Sequence, residues 1–262
     1  MNLRTLTNDV CSLCRNSGKY ILDEVAKIRA SDIEIKSPNN FVTYVDKNSE
    51  QMLVDGLSRL LPGSGFIAEE NPSLQKGEYT WIIDPLDGTT NFIHGVSPFS
   101  VSVGLLEGNT IILGVILEVN LDECFYTWKG SPSFLNGKEI RVSNTPLIAE
   151  GLFATGFPYY DYGKLEPYIN VFRYLMQNSR GIRRLGSAAA DMAYVACGRF
   201  DGFYEYGLSP WDVAAGSILV KNAGGVVCDF KGGDDHLFGR EMIAVNSTIY
   251  KEFLDFFKKY FR

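Results

Sequence analysis

Two carboxylates three residues apart form the most informative pattern in the chain. The apolar run at residues 81–83 is typical of a buried strand, and it leads into Asp84 and Asp87. Gly88 then permits a tight turn, and Thr89 offers a hydroxyl and a backbone N–H where a helix could begin. Carboxylates at a strand end attract hard cations, and free N–H groups at a helix start attract phosphate. The pattern therefore suggests metal-assisted attack on a phosphate ester.

Two further segments place carboxylates at the ends of elements. Residues 65–68 are predicted as a short strand that ends at the acidic residue Glu69. Residues 202–207 are also strand-like, and the Ser-Pro-Trp-Asp sequence that ends at Asp212 opens an Ala-, Val- and Leu-rich helix. A bare Asp-x-x-Asp-Gly is as often a turn and a helix cap as a site. Catalytic groups usually lie on the loops at element ends, so three such segments favour a site.

The combination of these segments resembles the signature blocks of the inositol monophosphatase family, and the likeness runs over nearly the whole chain. The blocks are Glu69-Glu70, residues 84–92, residues 183–189, residues 211–216 and residues 223–225. The resemblance implies an α/β fold, a layered α-β-α-β-α sandwich of mixed sheets. The alternation of predicted strands and helices agrees with that fold.

The resemblance also implies a set of metal ligands. Asp84 bridges two ions, with Glu69 and the Leu86 carbonyl on one ion and Asp87 and Asp212 on the other. All-oxygen ligation suits Mg²⁺ or Mn²⁺ better than zinc, so we expect two or three Mg²⁺ ions, with Mn²⁺ as a substitute. The four carboxylates carry four negative charges, which two Mg²⁺ ions would balance.

Catalytic and substrate-binding roles follow from the same resemblance. Thr89 and Glu69 are expected to orient the attacking water, and Asp46 to support the threonine. The N–H groups of Gly88 and Thr89 are expected to hold phosphate oxygens at the helix start. The expected substrate-binding residues are Asp87, Gly88, Thr89, Gly186, Ser187, Ala188, Glu205 and Asp212.

Two points stay open at this stage. Asp212 could be the N3 residue of a capping box that begins at Ser209, although capping and metal ligation are compatible. Leu208 and the bulky loop at residues 156–160 depart from the pattern of some family members, which leaves the preferred ester open.

Composition limits the class of protein. The formal charge of −6 argues against general nucleic-acid binding, and an acidic phosphatase needs metal to attract a phosphorylated substrate. No apolar run reaches membrane-spanning length, and the amino terminus does not resemble a signal peptide, so we expect a cytoplasmic protein. The five cysteines, including the Cys11–Cys14 pair, are interpreted as small apolar residues.

We expect residues 1–262 to form one phosphatase domain of two packed halves, with a seam near Thr145-Pro146. Glu107-Gly108-Asn109 and Asn136-Gly137 predict hairpin turns, and an aromatic helix at residues 248–261 is expected to pack on the sheet. A homodimer is implied by the family resemblance alone.

These observations predict a Mg²⁺-dependent phosphomonoesterase that hydrolyses myo-inositol monophosphate, or a related polyol or sugar phosphate, with metal-activated water. Fructose-1,6-bisphosphatase is an alternative, since Arg183-Arg184 could reach a second phosphate. Weaker alternatives are 3′-nucleotide and histidinol-phosphate phosphatases. A hypothesis of another class is a catalytically silent interaction subunit that retains the fold.

Overall fold

Two mixed β-sheets alternate with three layers of helices in the computed structural model, which describes residues 1–37, 40–71, 77–158 and 161–261. The order of layers is α1 and α2, the first sheet, α5 and α6, the second sheet, and α4 with α7. In the described residues the α-helices are α1 (Leu3–Val25), α2 (Tyr44–Leu60), α3 (Thr89–His94), α4 (Leu165–Asn178), α5 (Ala188–Ala196), α6 (Pro210–Asn222) and α7 (Tyr250–Tyr260). The layered α-β-α-β-α prediction is confirmed.

The first sheet has the strand order β3-β4-β5-β6-β7-β8-β9, and only its β3–β4 pair is parallel. A separate hairpin, β1 and β2, precedes α2. The strands of this half are β1 (Ile33–Ser37), β2 (Asn40–Thr43), β3 (Gly65–Ala68), β4 (Tyr79–Asp87), β5 (Ser100–Glu107), β6 (Thr110–Glu118), β7 (Glu123–Trp128), β8 (Ser133–Leu135) and β9 (Lys138–Ile140). Both predicted hairpin turns lie where expected, between β5 and β6 and between β8 and β9.

The second sheet has the order β11-β10-β12-β14-β13, in which β14 runs antiparallel to both of its neighbours. Its strands are β10 (Leu152–Thr155), β11 (Gly181–Arg183), β12 (Gly202–Tyr206), β13 (Gly225–Cys228) and β14 (Glu241–Asn246). Helix α7 buries Phe253 and Phe257 against this sheet, as its aromatic pattern predicted, and Lys258 and Lys259 lie in its last turn, where cations favour the helix dipole.

Residues 36–46 lead from the β1–β2 hairpin into α2. They form parts of β1 and β2 and the first turn of α2, while Pro38 and Asn39 lie outside the described residues. Helix α2 begins at Tyr44 because Thr43 and Asp46 form a capping box, which satisfies two backbone N–H groups at the helix start. The box places Asp46 in a helix rather than in a loop.

The two sheets meet the same pair of central helices. The first sheet ends at Ile140 and the second begins at Leu152, so Thr145-Pro146 lies between them. Helices α5 and α6 contact strands of both sheets. Because the two halves share this layer, we propose that they unfold as one domain. None of the helices in the described part of the chain is both long and apolar enough to span a membrane.

Candidate active site

A bulge at the end of β4 brings Asp84 and Asp87 to the same side of the strand. Residues three apart in a regular strand point to opposite faces. Here Asp84 pairs with Ser102 and Asp87 with Ser100, so two residues of β4 oppose one residue of β5. The extra residue shifts the alternation by one, as β-bulges do. The two carboxylates that the sequence predicted to act together can therefore share one pocket.

Asp84, Asp87 and Asp212 form an acidic cluster in which carboxylate oxygens lie within 4.8 Å of one another. Burial raises the pKa of Asp84 well above its ordinary value, and the charges of Glu69, Asp87 and Asp212 raise it further. Burial also raises the pKa of Asp212 well above its ordinary value and that of Asp87 to about 6. A buried group of like charges requires protons or a cation, and an all-oxygen set suits Mg²⁺. The cluster fits a divalent metal.

Helix α6 contributes the third carboxylate from its first turn. Asp212 Oδ2 accepts a hydrogen bond from the backbone N–H of Ser209 at 2.6 Å, which completes the expected capping box. Pro210 occupies the start of the helix, where its missing N–H costs no hydrogen bond. Capping uses one carboxylate oxygen, and the same side chain still reaches the acidic cluster. The two interpretations of Asp212 are thus compatible.

Glu69 lies at the rim of the same pocket, directly after β3. Strands β3 and β4 are parallel and Ala68 pairs with Ile83, so Glu69 leaves its strand beside Asp84. Lys36 Nζ lies 3.4 Å from Glu69 Oε1 and 2.6 Å from Glu70 Oε1. Burial raises the pKa of Glu69, and the Lys36 ammonium opposes that rise. Lys36 therefore neutralises part of the acidic pair.

Thr89 and Asp46 are in contact, as the sequence predicted. The Thr89 hydroxyl lies 2.9 Å from Asp46 Oδ1 and 3.1 Å from the Leu86 carbonyl oxygen, and it can donate its single hydrogen to one of them at a time. Asp46 Oδ2 accepts from the N–H and the hydroxyl of Thr43, at 2.8 and 2.7 Å. These bonds hold the Asp46 carboxylate toward Thr89 and leave the threonine oxygen lone pairs that can accept from water.

Gly88 and Gly186 are packed too closely for side chains. Gly88 has φ +94° and caps α3, and a Cβ there would lie 3.1 Å from the Gly186 carbonyl oxygen. Asn91 fastens the two segments, because its amide nitrogen donates to the carbonyls of Pro98 and Leu185, both at 2.7 Å. Asn91 lies in the block of residues 84–92, which does not predict this role. A lone amide gives no sign of which distant carbonyls it binds.

The Ser187 hydroxyl forms hydrogen bonds within the protein. It donates to Asp87 Oδ2 at 2.6 Å, its oxygen accepts from the Ala190 N–H, and the Ala189 N–H donates to the same Asp87 oxygen at 2.7 Å. Ser187 and Ala188 line a side cavity of about 70 Å³. They do not line the cavity that contains the acidic cluster, which we name the main cavity, whereas Gly186 lines both. We infer that Ser187 orients Asp87, whereas the expectation that Ser187 and Ala188 bind substrate stays a prediction.

Glu205 on β12 projects over a glycine that sequence reasoning missed. A Cβ added to Gly156 would lie 2.0–2.1 Å from the Glu205 carboxylate, so the acid rests directly on the bare backbone. Burial raises the pKa of Glu205 to about 8, while the Arg184 guanidinium lowers it. Gly156 follows β10, and no local signal in the sequence links it to a residue 49 positions away.

The main cavity has a volume of about 160 Å³ and combines the acidic cluster with an apolar wall. That wall is formed by Phe41, Phe157, Pro158, Leu208 and Trp211. Within the bulky loop predicted at residues 156–160, Tyr159 and Tyr160 lie outside the described residues.

The two adjacent arginines do not act together. Arg184 lines the side cavity, whereas Arg183 is exposed and donates to the carbonyl of Ile182 at 3.1 Å. At most one of them is placed to meet a second phosphate, so the pair offers little support for a bisphosphate substrate.

Gly156→Ala is expected to reduce kcat/KM on polyol phosphates by about tenfold or more, because the new methyl must displace the Glu205 carboxylate and weaken a charge-assisted hydrogen bond. Hydrolysis of p-nitrophenyl phosphate, which has no polyol hydroxyls, should change much less. Steady-state kinetics on both esters measure the difference. Equal losses on the two esters would mean that Gly156 supports the catalytic groups instead.

The raised carboxyl pKa values predict an unusual dependence of stability on pH. The unfolded chain has ordinary values near about 4, whereas folded Asp87 and Glu205 have values of about 6 and about 8. Between these limits the folded state keeps protons that the unfolded state has lost, so the metal-free protein should become less stable as pH rises from about 4.5 to about 8.

Melting temperatures from pH 5 to 8, with EDTA and with Mg²⁺, test this linkage. Because Mg²⁺ binds the ionised folded site, its stabilising effect should grow with pH. The double variant Asp87→Asn with Asp212→Asn should lose much of the Mg²⁺ response. Identical pH curves for the parent with and without Mg²⁺ would rule out the linkage.

Comparison with known proteins agrees with this arrangement. A family model described as the inositol monophosphatase family matches residues 2–258. An inositol-1-monophosphatase from Mesorhizobium japonicum is 36% identical over 97% of this chain and 96% of its own length. The Nus factor SuhB of Pseudomonas aeruginosa is 38% identical over 96% of this chain and 95% of its own.

Solved structures give the same result. The crystal structure of the extragenic suppressor protein suhB from Bartonella henselae has a TM-score of 0.92 and 35% identity, covering 97% of this chain and 99% of that one. The Thermotoga maritima IMPase has a TM-score of 0.87 and 36% identity, covering 95% of each chain. From its sequence, its fold and these relatives, the chain belongs to the inositol monophosphatase family.

Proposed function

We propose that this chain is a Mg²⁺-dependent phosphomonoesterase that hydrolyses myo-inositol monophosphate or a related polyol or sugar phosphate. One observation carries the proposal: the carboxylates of buried Asp84 and half-buried Asp87 and Asp212 converge within 4.8 Å beside the helix start at Gly88. The cluster supports cation binding, and the adjacent backbone supports phosphate binding. Family membership supports hydrolysis of phosphoric monoesters.

The ligands proposed are Glu69, Asp84, Asp87, Asp212 and the Leu86 carbonyl. Two Mg²⁺ ions, or three with the substrate present, would supply positive charge to the phosphate and lower the pKa of water. Mn²⁺ is the expected substitute because it shares the preference for oxygen ligands.

The chain's own residues then arrange the nucleophile. When Thr89 donates its hydrogen to Asp46, its oxygen lone pairs accept a hydrogen bond from the attacking water. Glu69, which lines the same cavity, accepts the second hydrogen of that water. The N–H groups of Gly88 and Thr89 stabilise the charge that develops on the phosphate oxygens.

The remaining walls favour a small hydroxylated leaving group. Glu205 offers a buried carboxylate that accepts hydrogen bonds from polyol hydroxyls, while Leu208 and Trp211 cover the apolar C–H faces of a ring. The main cavity of about 160 Å³ accommodates one sugar-sized group better than a nucleotide. Fructose-1,6-bisphosphate is a weaker candidate, because Arg184 lines the side cavity whereas Arg183 lines neither the main nor the side cavity.

A panel of phosphate esters, with Mg²⁺ present or replaced by EDTA, tests the proposal. We expect phosphate release from inositol monophosphates that depends on Mg²⁺, with slower release from fructose 1,6-bisphosphate, a 3′-nucleotide and histidinol phosphate. Release that is unchanged in EDTA would contradict the metal assignment. A preference for one of the other esters would replace the substrate and keep the chemistry.

A second candidate function is that of an interaction subunit. It is supported by relatives at 34–38% identity that are named Nus factor SuhB. All the proposed ligands are present in this chain, which favours the enzyme. Absence of phosphate release from every ester, together with preserved Mg²⁺ binding, would favour the interaction subunit. For either function we propose a homodimer in the cytoplasm, and sedimentation equilibrium tests the dimer.

A further inference from the structure

A second polar cavity, of about 350 Å³, lies at the far end of α6 from Asp212, and we name it the rear cavity. Lys129, Ser217, Lys221, Asn222, Asp234 and His236 contribute to its wall. No described residue lines both the rear cavity and the main cavity. Asp212 and Lys221 are nine residues apart on the same helix, which corresponds to about 14 Å at 1.5 Å per residue. The rear cavity is therefore separate from the candidate active site.

A lysine and a buried histidine meet at this cavity. Lys221 Nζ lies 3.3 Å from His236 Nε2. Burial and the neighbouring ammonium lower the pKa of His236 to about 4, so its ring is neutral at pH 7 and accepts from the lysine. The ring hydrogen is then on Nδ1, which is buried and has no hydrogen-bond partner among the described residues. The same holds for the Ser217 hydroxyl, which is 1% exposed.

Lys221 has no direct counter-ion among the described residues. None of the ion pairs between described residues includes Lys221. Burial lowers its pKa, while Asp234 acts on it only at longer range. Lys129 adds a second ammonium, held 3.8 Å from the exposed Glu107. Because Glu107 already pairs with Lys129, Lys221 is the lysine of this cavity that has no ion pair among the described residues.

Asn222 gives the cavity a fixed wall. Its amide donates to Thr127 Oγ1 at 2.8 Å and to the Trp128 carbonyl at 3.1 Å, and so joins the end of α6 to β7. These bonds hold the end of α6, which carries Lys221, beside the end of β7, which Lys129 follows. The two lysines therefore line the cavity from different elements.

We propose that the rear cavity binds a small oxyanion, either free phosphate or the phosphate group of a metabolite. Its oxygens would accept from the Lys221 and Lys129 ammonium groups and supply the counter-charge that Lys221 lacks. This site is additional to the catalytic one and does not depend on the proposed hydrolysis.

Calorimetric titration of the full chain with sodium phosphate, in EDTA at constant ionic strength, tests the proposal. Without divalent cations the acidic cluster of the catalytic pocket repels anions, and loss of binding in Lys221→Met assigns the remaining site to the rear cavity. We expect one phosphate per chain. Lys221→Met should weaken binding by at least about tenfold, and Lys129→Met by less, because its charge is more exposed. Lys251→Met, on the exposed face of α7, makes the same charge change and should leave binding unaltered.

Melting temperatures without phosphate establish that each variant is folded. Phosphate should raise the melting temperature of the parent and of Lys251→Met, but not that of Lys221→Met. A parallel titration with glycerol 1-phosphate distinguishes the two ligands proposed. If the chain binds glycerol 1-phosphate more tightly than phosphate, the ligand is a phosphorylated metabolite; if it binds glycerol 1-phosphate more weakly, the ligand is the free ion. Absence of phosphate binding to the parent, or equal binding by Lys221→Met, would overturn the proposal.

Discussion

Asp84→Asn is expected to lower turnover by about two orders of magnitude or more, the scale of removing one main electrostatic group from an active site. Asp84 is almost fully buried, and its carboxylate belongs to the acidic cluster. An amide has nearly the same shape but no charge, so every cation that this side chain contacts would be held more weakly. Initial rates at saturating inositol monophosphate, over a wide range of Mg²⁺ concentrations, measure the effect.

The stability of the same variant separates loss of metal from loss of structure. In the metal-free parent, the charges of Glu69, Asp87 and Asp212 oppose ionisation of Asp84. Removing one of these like charges should leave the melting temperature in EDTA unchanged or higher. A melting temperature below that of the parent would indicate that the variant loses activity because its fold is destabilised. Near-normal activity of Asp84→Asn at low Mg²⁺ would remove the assignment of Asp84 as a bridging ligand.

Thr89→Ala and Glu205→Gln are expected to fail in different ways. Thr89 contacts Asp46 and is proposed to orient the water that every ester needs, so Thr89→Ala should depress kcat on all substrates, including p-nitrophenyl phosphate, by about a hundredfold. Glu205 is proposed to bind the polyol. In an assay at about pH 9, above the Glu205 pKa of about 8, this side chain is ionised and Glu205→Gln weakens a charge-assisted hydrogen bond of about 1.5–3 kcal/mol, which corresponds to roughly tenfold to hundredfold in kcat/KM on inositol monophosphate.

Thr90→Ala is the matched control for the water-orienting role. Thr90 follows directly in the sequence and is exposed at the cavity, and its variant should keep near-parental turnover. The comparison to make is kcat/KM for the three variants on inositol monophosphate and on p-nitrophenyl phosphate. If Glu205→Gln weakens both esters equally, Glu205 belongs with the catalytic groups and the proposed division of the site is wrong.

The acidic cluster was accessible from sequence because its members lie in short contiguous motifs. Asp84 and Asp87 share one strand end, and Asp212 lies in a recognisable helix start. The bulge that turns Asp84 and Asp87 to one side was not predictable, since strand alternation alone places them on opposite faces. The motif located the residues, and the tertiary pairing with β5 determines their directions.

The contacts that position the substrate side escaped sequence analysis for a physical reason. Gly156 lies beneath Glu205, and Asn91 binds the carbonyl of Leu185, which is 94 residues away. Such contacts depend on how two sheets and their helices pack, and no local periodicity encodes them. The family resemblance paired Asp46 with Thr89. It did not predict that Asp46 also belongs to the capping box of α2, which only the structure shows.

We propose that Asp84, Asp87 and Asp212 hold divalent cations, and calorimetric titration of the purified protein with Mg²⁺ measures that binding. Because burial raises the pKa values of Asp84, Asp87 and Asp212, part of the cluster is protonated before metal binds, and binding must release protons. Titrations near pH 6.5 in two buffers of different ionisation enthalpy should therefore show saturable binding with a buffer-dependent heat. Asp84→Asn should bind far more weakly. Absence of saturable binding to the parent, or identical binding by Asp84→Asn, would contradict the account.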